Sequence, residues 1–172
     1  MFEESNHPKI SVLIPVYNVE KYVRRCLFSV LNQTMQEGVE VIIVNDCTPD
    51  HSMEEIFEAL RAYSGNERGE KMSVRVVTHD TNHGLAVVRN TAMNYATGDY
   101  VIHVDSDDWI EPDMLEKLYA CAMDTKADIV CCNISLEYKS RQENLCYPYK
   151  EEQYKDLLYI DVLRCSVWNK LI

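Results

Sequence analysis

The chain has 172 residues, 47% apolar and 26% charged, and its 17 Lys and Arg against 28 Asp and Glu give a formal net charge of −11. These proportions belong to a soluble globular domain long enough to bury a core, and they exclude a disordered chain, a collagen-like repeat and a small disulfide-stapled scaffold. An acidic chain repels phosphate backbones at long range, so nucleic acid is not an expected partner, and any phosphorylated ligand must be neutralised locally, for instance by a bound cation.

No stretch approaches the roughly 18 apolar residues that cross a bilayer. The start, Met1 to His7, is acidic and polar, the reverse of a secretory signal, so the expected location is the cytoplasm. The seven cysteines are an odd number, contain no Cys-x-x-Cys pair and include the adjacent Cys131 and Cys132. Free thiols in a reducing compartment fit this pattern better than zinc or disulfides. Without a secretory signal, Asn32-Gln33-Thr34 and Asn133-Ile134-Ser135 read as chance matches to a glycosylation acceptor.

Short β-branched runs alternate with helical periods along the chain. Residues 9–15 read as a first strand, and Val19, Tyr22, Val23, Cys26, Leu27, Val30 and Leu31 then recur at helical spacing. Residues 39–45 form a second strand, apolar almost throughout as a central strand is. Ser52 and Glu55 fit a capping box that opens a helix with Met53, Ile56, Phe57 and Leu60 inward. A polar loop over 64–71 leads to a third strand at 74–78 and a third helix at 85–96, stopped by Thr97-Gly98. A fourth strand is predicted at 100–104. Pro112 suits the first turn of a fourth helix with Leu115, Leu118, Tyr119 and Ala122 inward, and residues 128–132 read as a fifth strand. Alternation of this kind predicts an α/β fold, a mostly parallel central sheet with helices on both faces. Beyond Asn133 the pattern loosens: residues 138–149 look irregular, 154–163 read as a short helix, and the apolar ending at 166–172 reads as a chain cut off within a fold.

In parallel sheets ligands bind outside the carboxyl ends of the strands. There the predicted strands deliver Pro15-Val16-Tyr17-Asn18, then Asn45-Asp46-Cys47-Thr48-Pro49-Asp50, then Asn82-His83-Gly84, then Asp105-Ser106-Asp107-Asp108-Trp109. Three carboxylates in four residues repel one another unless a cation or hydrogen-bond donors intervene. Hard oxygen ligands in an incomplete cage suit Mg2+ or Mn2+, with phosphate and water completing the shell; the competing reading is a solvated turn capping the next helix. Asp46 fits a helix cap or an acceptor for a ligand N–H. Tyr17 fits a base-stacking ring or a cover for the sheet edge. Gly84 permits close backbone approach, and Arg89 fits either a surface charge or a fixed cation facing the acidic cluster or a ligand. His103 shares a side with Asp105 by alternation and reads as a satisfied sheet histidine. His79 and His83 receive no role.

In this order and spacing the segments 12–22, 44–50, 82–90, 98–100 and 105–109, with Trp168-Asn169-Lys170-Leu171, resemble the family 2 glycosyltransferases, inverting enzymes of the GT-A fold. The resemblance implies that Pro15, Tyr17 and Asp46, with Val16 and Asn18 of the same segment, hold the base of a nucleotide-sugar donor, usually uracil. It implies that Asn82, Gly84 and Arg89 face the nucleotide and its phosphates. Asp105, Ser106 and Asp107 match the Asp-x-Asp motif, which meets ribose and sugar on one side and a divalent cation, Mn2+ or Mg2+, on the other. Asp107 is the first metal ligand, Asp105 the second and Asp108 a third candidate. Cys47 stands where the family often has Gly, and Val88 where it often has Ala. The implied partners are a UDP-sugar donor and a saccharide or glycolipid acceptor. Residues 1–132 form the donor-binding core, and 133–172 open an acceptor-side segment that ends before the general base the family usually supplies. Two rivals remain at this level: a phosphatase of the haloacid dehalogenase type with Asp105 as nucleophile, and a non-catalytic nucleotide-binding or receiver-like module. Trp109 and Tyr17-Asn18 depart from the patterns those rivals require.

Overall fold

A computed structural model describes residues 7–64, 72–138, 141–145 and 170–172. Its elements run β1 (Ile10–Val16), α1 (Val23–Leu31), β2 (Val39–Asn45), α2 (Ser52–Ser64), β3 (Ser73–Thr78), α3 (Leu85–Tyr95), β4 (Tyr100–His103), α4 (Met114–Thr125), β5 (Val130–Cys131), β6 (Ile134–Tyr138), β7 (Arg141–Leu145) and β8 (Lys170–Leu171). The main sheet has the order β3-β2-β1-β4-β8-β5. The first four strands pair in parallel, whereas β8 runs antiparallel to both β4 and β5. Mixed α/β architecture with a parallel four-stranded core is therefore as the sequence predicts. The pairing of β8 is not: Lys170–Leu171, read as part of an acceptor-side segment, enters the core sheet, and Leu171 is fully buried there. The helix expected over 154–163 and the residues Trp168 and Asn169 lie outside the described residues.

Alternation sorts the buried side chains of the sheet onto two faces. Ile10, Val12, Ile14 and Val16 of β1 join Val39, Val41 and Ile43 of β2 in the larger core, covered by α1, α2 and α4. Leu13, Ile42 and Val44 face the other way, against Val88 and Ala92 of α3. Both β1 and β2 are buried along their whole length, which is why they read as continuous apolar runs.

Four local expectations change. Ser52 does not cap α2: its amide and hydroxyl both donate to Asp50 Oδ1 (3.1 and 2.5 Å), so Asp50 takes the capping role and Glu55 turns instead to Arg24. Phe57, one residue round from Ile56 on the helix, falls off the inner stripe and is 45% exposed. The first helical stripe begins at Val19, but residues 19–22 form a turn and α1 starts at Val23. Residues 134–138 and 141–145, which the sequence renders partly irregular, pair as the antiparallel strands β6 and β7.

The opposite end of the sheet is locked by one buried carboxylate. Glu40 Oε1 accepts from Ser11 Oγ (2.6 Å), Thr97 N (2.6 Å), Thr97 Oγ1 (2.9 Å) and Gly98 N (3.1 Å). Burial acts against its charge, but these donors outweigh it and hold the carboxyl below its ordinary value. Gly98 passes so close to β1 that a Cβ would lie 2.8 Å from Ser11 N and 2.9 Å from Ile10 C. Gly98→Ala should therefore destabilise the fold by about 1–3 kcal/mol in urea unfolding. Because the folded-state pKa of Glu40 is depressed, its contribution is present above the unfolded value, about 4.3, and is lost as pH falls through the folded value. Glu40→Gln should accordingly be less stable than wild type at neutral pH, with the difference narrowing in acid.

Candidate functional site

The order β3-β2-β1-β4 reverses direction at β1, with β2 and β4 on its two sides, and this switch point is where an open α/β sheet forms its crevice. Pairing between β1 and β4 runs only from Ile10↔Tyr100 to Leu13↔His103. Leu13 O accepts from Val104 N (2.9 Å), so by two-residue alternation Pro15 also faces the β4 side. Its missing N–H thus falls just past the end of that ladder, where no partner strand waits. Val16, one residue on, faces β2 and accepts from Asp46 N (3.0 Å).

The gap opens into a cleft of about 360 Å³ lined by Pro15, Val16 and Tyr17 after β1, Asp46 after β2, Asn82, Gly84, Leu85 and Val88 around the start of α3, and Asp105, Ser106 and Asp107 after β4. Nine of these wall residues come from four separate strand ends that the sequence singles out. Asn18 and Arg89 do not line the cleft. Asn18 takes a left-handed turn (φ 57°) and donates its amide to Thr48 Oγ1. Arg89 sits behind the wall, its Nη2 donating to Asp105 Oδ1 at 2.6 Å.

Asp46 is the hub of the cleft wall that follows β2. Its side chain is almost wholly buried, and Oδ1 accepts from His79 Nδ1 (2.7 Å) and His83 N (2.9 Å) while Oδ2 accepts from Gly84 N (2.7 Å). Burial alone would raise its pKa, but the His79 bond and the two amides hold the carboxyl below the ordinary range, so it is ionised. An ionised carboxylate only accepts, hence His79 Nδ1 carries the proton and Nε2 faces the Thr91 hydroxyl at 2.9 Å. Three of about four lone-pair positions are filled, which leaves one on Oδ2 for a ligand donor. His79 is the residue that sequence reasoning missed. Its position directly after β3, at the ligand-bearing end, was the available signal. Gly84 combines φ 83° with ψ 160°, a region essentially confined to glycine, and a Cβ there would meet nothing, so its backbone borders open cleft.

The acidic turn is uneven. Asp105 is partly buried and paired with Arg89, whereas Asp107 is exposed and makes no hydrogen bond or ion pair among the described residues. Asp108 points away from the first cleft, and burial followed by the charges of Asp107 and Asp105 holds its carboxyl above the ordinary range. Asp105 and Asp107 also wall a second cleft of about 460 Å³ with Asp108, Trp109, Glu111 and the β6–β7 hairpin. Arg25 lies over the Trp109 ring, 3.2 Å from its centroid, and reaches Glu137 of β6 at 3.8 Å. His103 is buried under this wall with Nδ1 unpartnered, so it is not the satisfied sheet histidine expected. Burial, then Arg89, lowers its pKa and keeps the ring neutral.

Among the described residues no three His, Cys, Asp or Glu side chains gather closely enough to cage a metal alone. The donor set instead fits an ion completed by its ligand, because Mg2+-like ions commonly take one or two carboxylates and leave other positions to phosphate and water. Asp107 supplies a free carboxylate for that purpose, and Asp105 one whose second oxygen is not held by Arg89.

A parallel four-stranded sheet with its crevice at the switch point, walled by an acidic turn and a buried aspartate, defines an open α/β fold of the GT-A type. Residues 11–161 match the Glycosyl transferase family 2 model, and the chain belongs to that family. It is 38% identical over 172 residues to EpsH of Bacillus subtilis, covering 95% of this chain and 46% of EpsH. It is 41% identical over 164 residues to Glycosyltransferase GlyA of Streptococcus pneumoniae, covering 95% of this chain and 20% of GlyA. Among solved structures, S. aureus TarS 1-349 in complex with UDP-GlcNAc superposes with a TM-score of 0.70 at 27% identity, over 95% of this chain and 44% of TarS. The chain thus spans less than half the length of these relatives. The family match leaves the phosphatase and receiver-like readings without support.

Two outcomes test the local geometry. Cys47 holds φ 55°, a left-handed conformation, and is exposed. Relief of that strain makes Cys47→Gly up to about 1 kcal/mol more stable in thermal unfolding, against which only the added freedom of glycine acts. In Asp46→Ala the amides of His83 and Gly84 lose their acceptor, and their hydrogen exchange should speed by about tenfold, read by NMR.

Proposed function

We propose that the cleft at the β1–β4 switch point binds a nucleoside-diphosphate sugar, a UDP-sugar in particular, as donor for inverting transfer to a hydroxyl of a saccharide or glycolipid acceptor. The observation that carries this reading is the convergence of Tyr17, Asp46, Gly84, Asp105 and Asp107 on one cleft. The likeness to TarS, solved with UDP and with UDP-GlcNAc, supports it.

In this reading the ring of Tyr17, 47% exposed, stacks on the base, and the remaining lone pair of Asp46 accepts the base N–H. Asn82 and the backbone at Gly84 border the ribose and phosphates. Asp105, already fixed by Arg89, orients the ribose and sugar side, and Asp107 holds the diphosphate side through a divalent cation. When bound, Mn2+ or Mg2+ supplies Lewis-acid stabilisation of the departing diphosphate. A unit charge pair at about 3 Å gains roughly 5 kcal/mol before desolvation is charged against it, at an effective dielectric near 20. That local attraction is how a chain of net charge −11 retains an anionic donor. The second cleft, across the Asp105–Asp107 wall, receives the acceptor. Its hydroxyl gives its proton to a general base, which the family resemblance assigns to a segment after Trp168-Asn169-Lys170-Leu171.

Calorimetric titration with UDP tests the donor reading. Wild type should bind UDP more tightly with Mn2+ than in EDTA, and Asp107→Ala should lose about tenfold or more of the Mn2+-dependent affinity while keeping the EDTA value. Tyr17→Ala should weaken both values alike. Absence of UDP binding by the wild type, or an Asp107→Ala titration indistinguishable from it, overturns the proposal.

A further inference from the structure

The acidic turn has little structure of its own. Between Asp105 and Ile110 its one internal backbone bond is Asp108 N to Asp105 O, at 3.0 Å. It carries Asp105, Asp107 and Asp108 within four residues, and their like charges repel one another. Besides Arg89 at Asp105, α1 and the residues just after it hold the turn at its start and its end. Cys26 Sγ approaches Asp105 O at 3.6 Å. Ser29 Oγ accepts from Ile110 N at 3.1 Å and donates to Cys26 O at 2.7 Å. Gln33, 1% exposed, donates from Nε2 to Glu111 O (2.6 Å) and to Ser29 O (3.0 Å), and its Oε1 accepts from Leu115 N (3.0 Å). Thr34 N donates to Pro112 O at 2.8 Å.

A buried carboxamide is costly unless every polar atom is paired, and Gln33 meets that condition by spending two of its three bonds on the segment after the acidic turn. It binds one carbonyl before α4 and one orphan amide inside its first turn, so it fixes where α4 begins. Ser29 pins the residue two positions after Asp108. Together their side chains fix the backbone from Ile110 to Leu115, directly after the acidic turn, without touching the carboxylates.

We infer that Ser29 and Gln33 are positioning residues for the donor site: through Ile110, Glu111 and Leu115 they hold the acidic turn so that Asp105 and Asp107 face the donor cleft together. The inference rests on the donor reading above and adds residues that lie outside the cleft. It also separates the site into two halves. The base half (Tyr17, Asp46, Gly84) is held by β1, β2 and His79, whereas the acidic turn is held by Arg89 of α3 and by α1 with the residues just after it.

The test is the Mn2+ dependence of UDP binding, with thermal unfolding alongside. Ser29→Val and Ser29→Thr introduce β-branched side chains of nearly the same shape, of which only threonine keeps the hydroxyl. Ser29→Val and Gln33→Leu should each raise the Mn2+ concentration at half-saturation by about tenfold. Ser29→Thr should restore the wild-type midpoint, and UDP binding in EDTA should stay unchanged in all three. Should Gln33→Leu fail to fold, the Ser29 pair decides alone. A Ser29→Val protein with a lowered unfolding temperature but a wild-type Mn2+ midpoint overturns the inference, as does an equal loss in EDTA and in Mn2+. Both results leave the donor reading standing. A wild type that does not bind UDP at all overturns the donor reading and this inference with it.

Discussion

Everything at the site follows from where β1 loses its second neighbour. Up to Leu13 the strand is bonded on both sides, and past that residue only β2 continues with it. A backbone released from one ladder must either find other partners or face a cavity. Pro15 meets the requirement by having no N–H to satisfy, so the strand ends cleanly and the space between β1 and β4 is left open. The acidic turn then borders that space because it is the first segment after β4. The cleft is a consequence of strand order and strand length before it is a consequence of any side chain.

Charge is the second constraint. The chain carries a net −11 and concentrates three carboxylates in four residues beside its own cleft. The structure handles each differently. Asp105 is paired with Arg89, Asp108 is drawn into low-dielectric surroundings, and Asp107 is left exposed. Arg89 offsets the repulsion at Asp105, whereas Asp108 still bears the charges of the other two and Asp107 faces the cleft without an ion-pair partner among the described residues. A free carboxylate held at a fixed distance from a paired one is suited to a cation shared with phosphate oxygens. Among the described residues no three His, Cys, Asp or Glu side chains gather closely enough to cage a metal alone.

The family's short motifs acquire separate physical meanings here. Gly98 is required because β1 passes too close for a Cβ. Gly84 is required by its backbone angles, and its missing side chain also leaves the cleft open. Cys47 shows why glycine suits its position, since it holds a left-handed φ that glycine adopts freely. Asp46, which in sequence looks like turn chemistry, instead ties the ends of β2 and β3 to the first turn of α3. One of its three side-chain hydrogen bonds comes from His79, which no motif flagged.

The sequence by itself determined the element order, the mostly parallel sheet, the two apolar faces and the strand-end segments that carry polar groups. Each of these is local: periodicity, β-branching and turn residues write themselves into a single stretch of chain. It also carried Pro15, Tyr17, Asp46, Gly84, Asp105 and Asp107 as candidates because each directly follows or opens a legible element. Only the tertiary structure decided that Arg89 backs Asp105 instead of lining the cleft, that His79 holds Asp46, and that Ser29 and Gln33 hold the acidic turn from about 80 residues away. It likewise decided the β6–β7 hairpin, whose second strand (Arg-Gln-Glu-Asn-Leu) has no alternation of its own, and the insertion of β8 between β4 and β5. These depend on partners distant in the chain, and a hydrogen bond across that separation leaves no periodic trace in either segment.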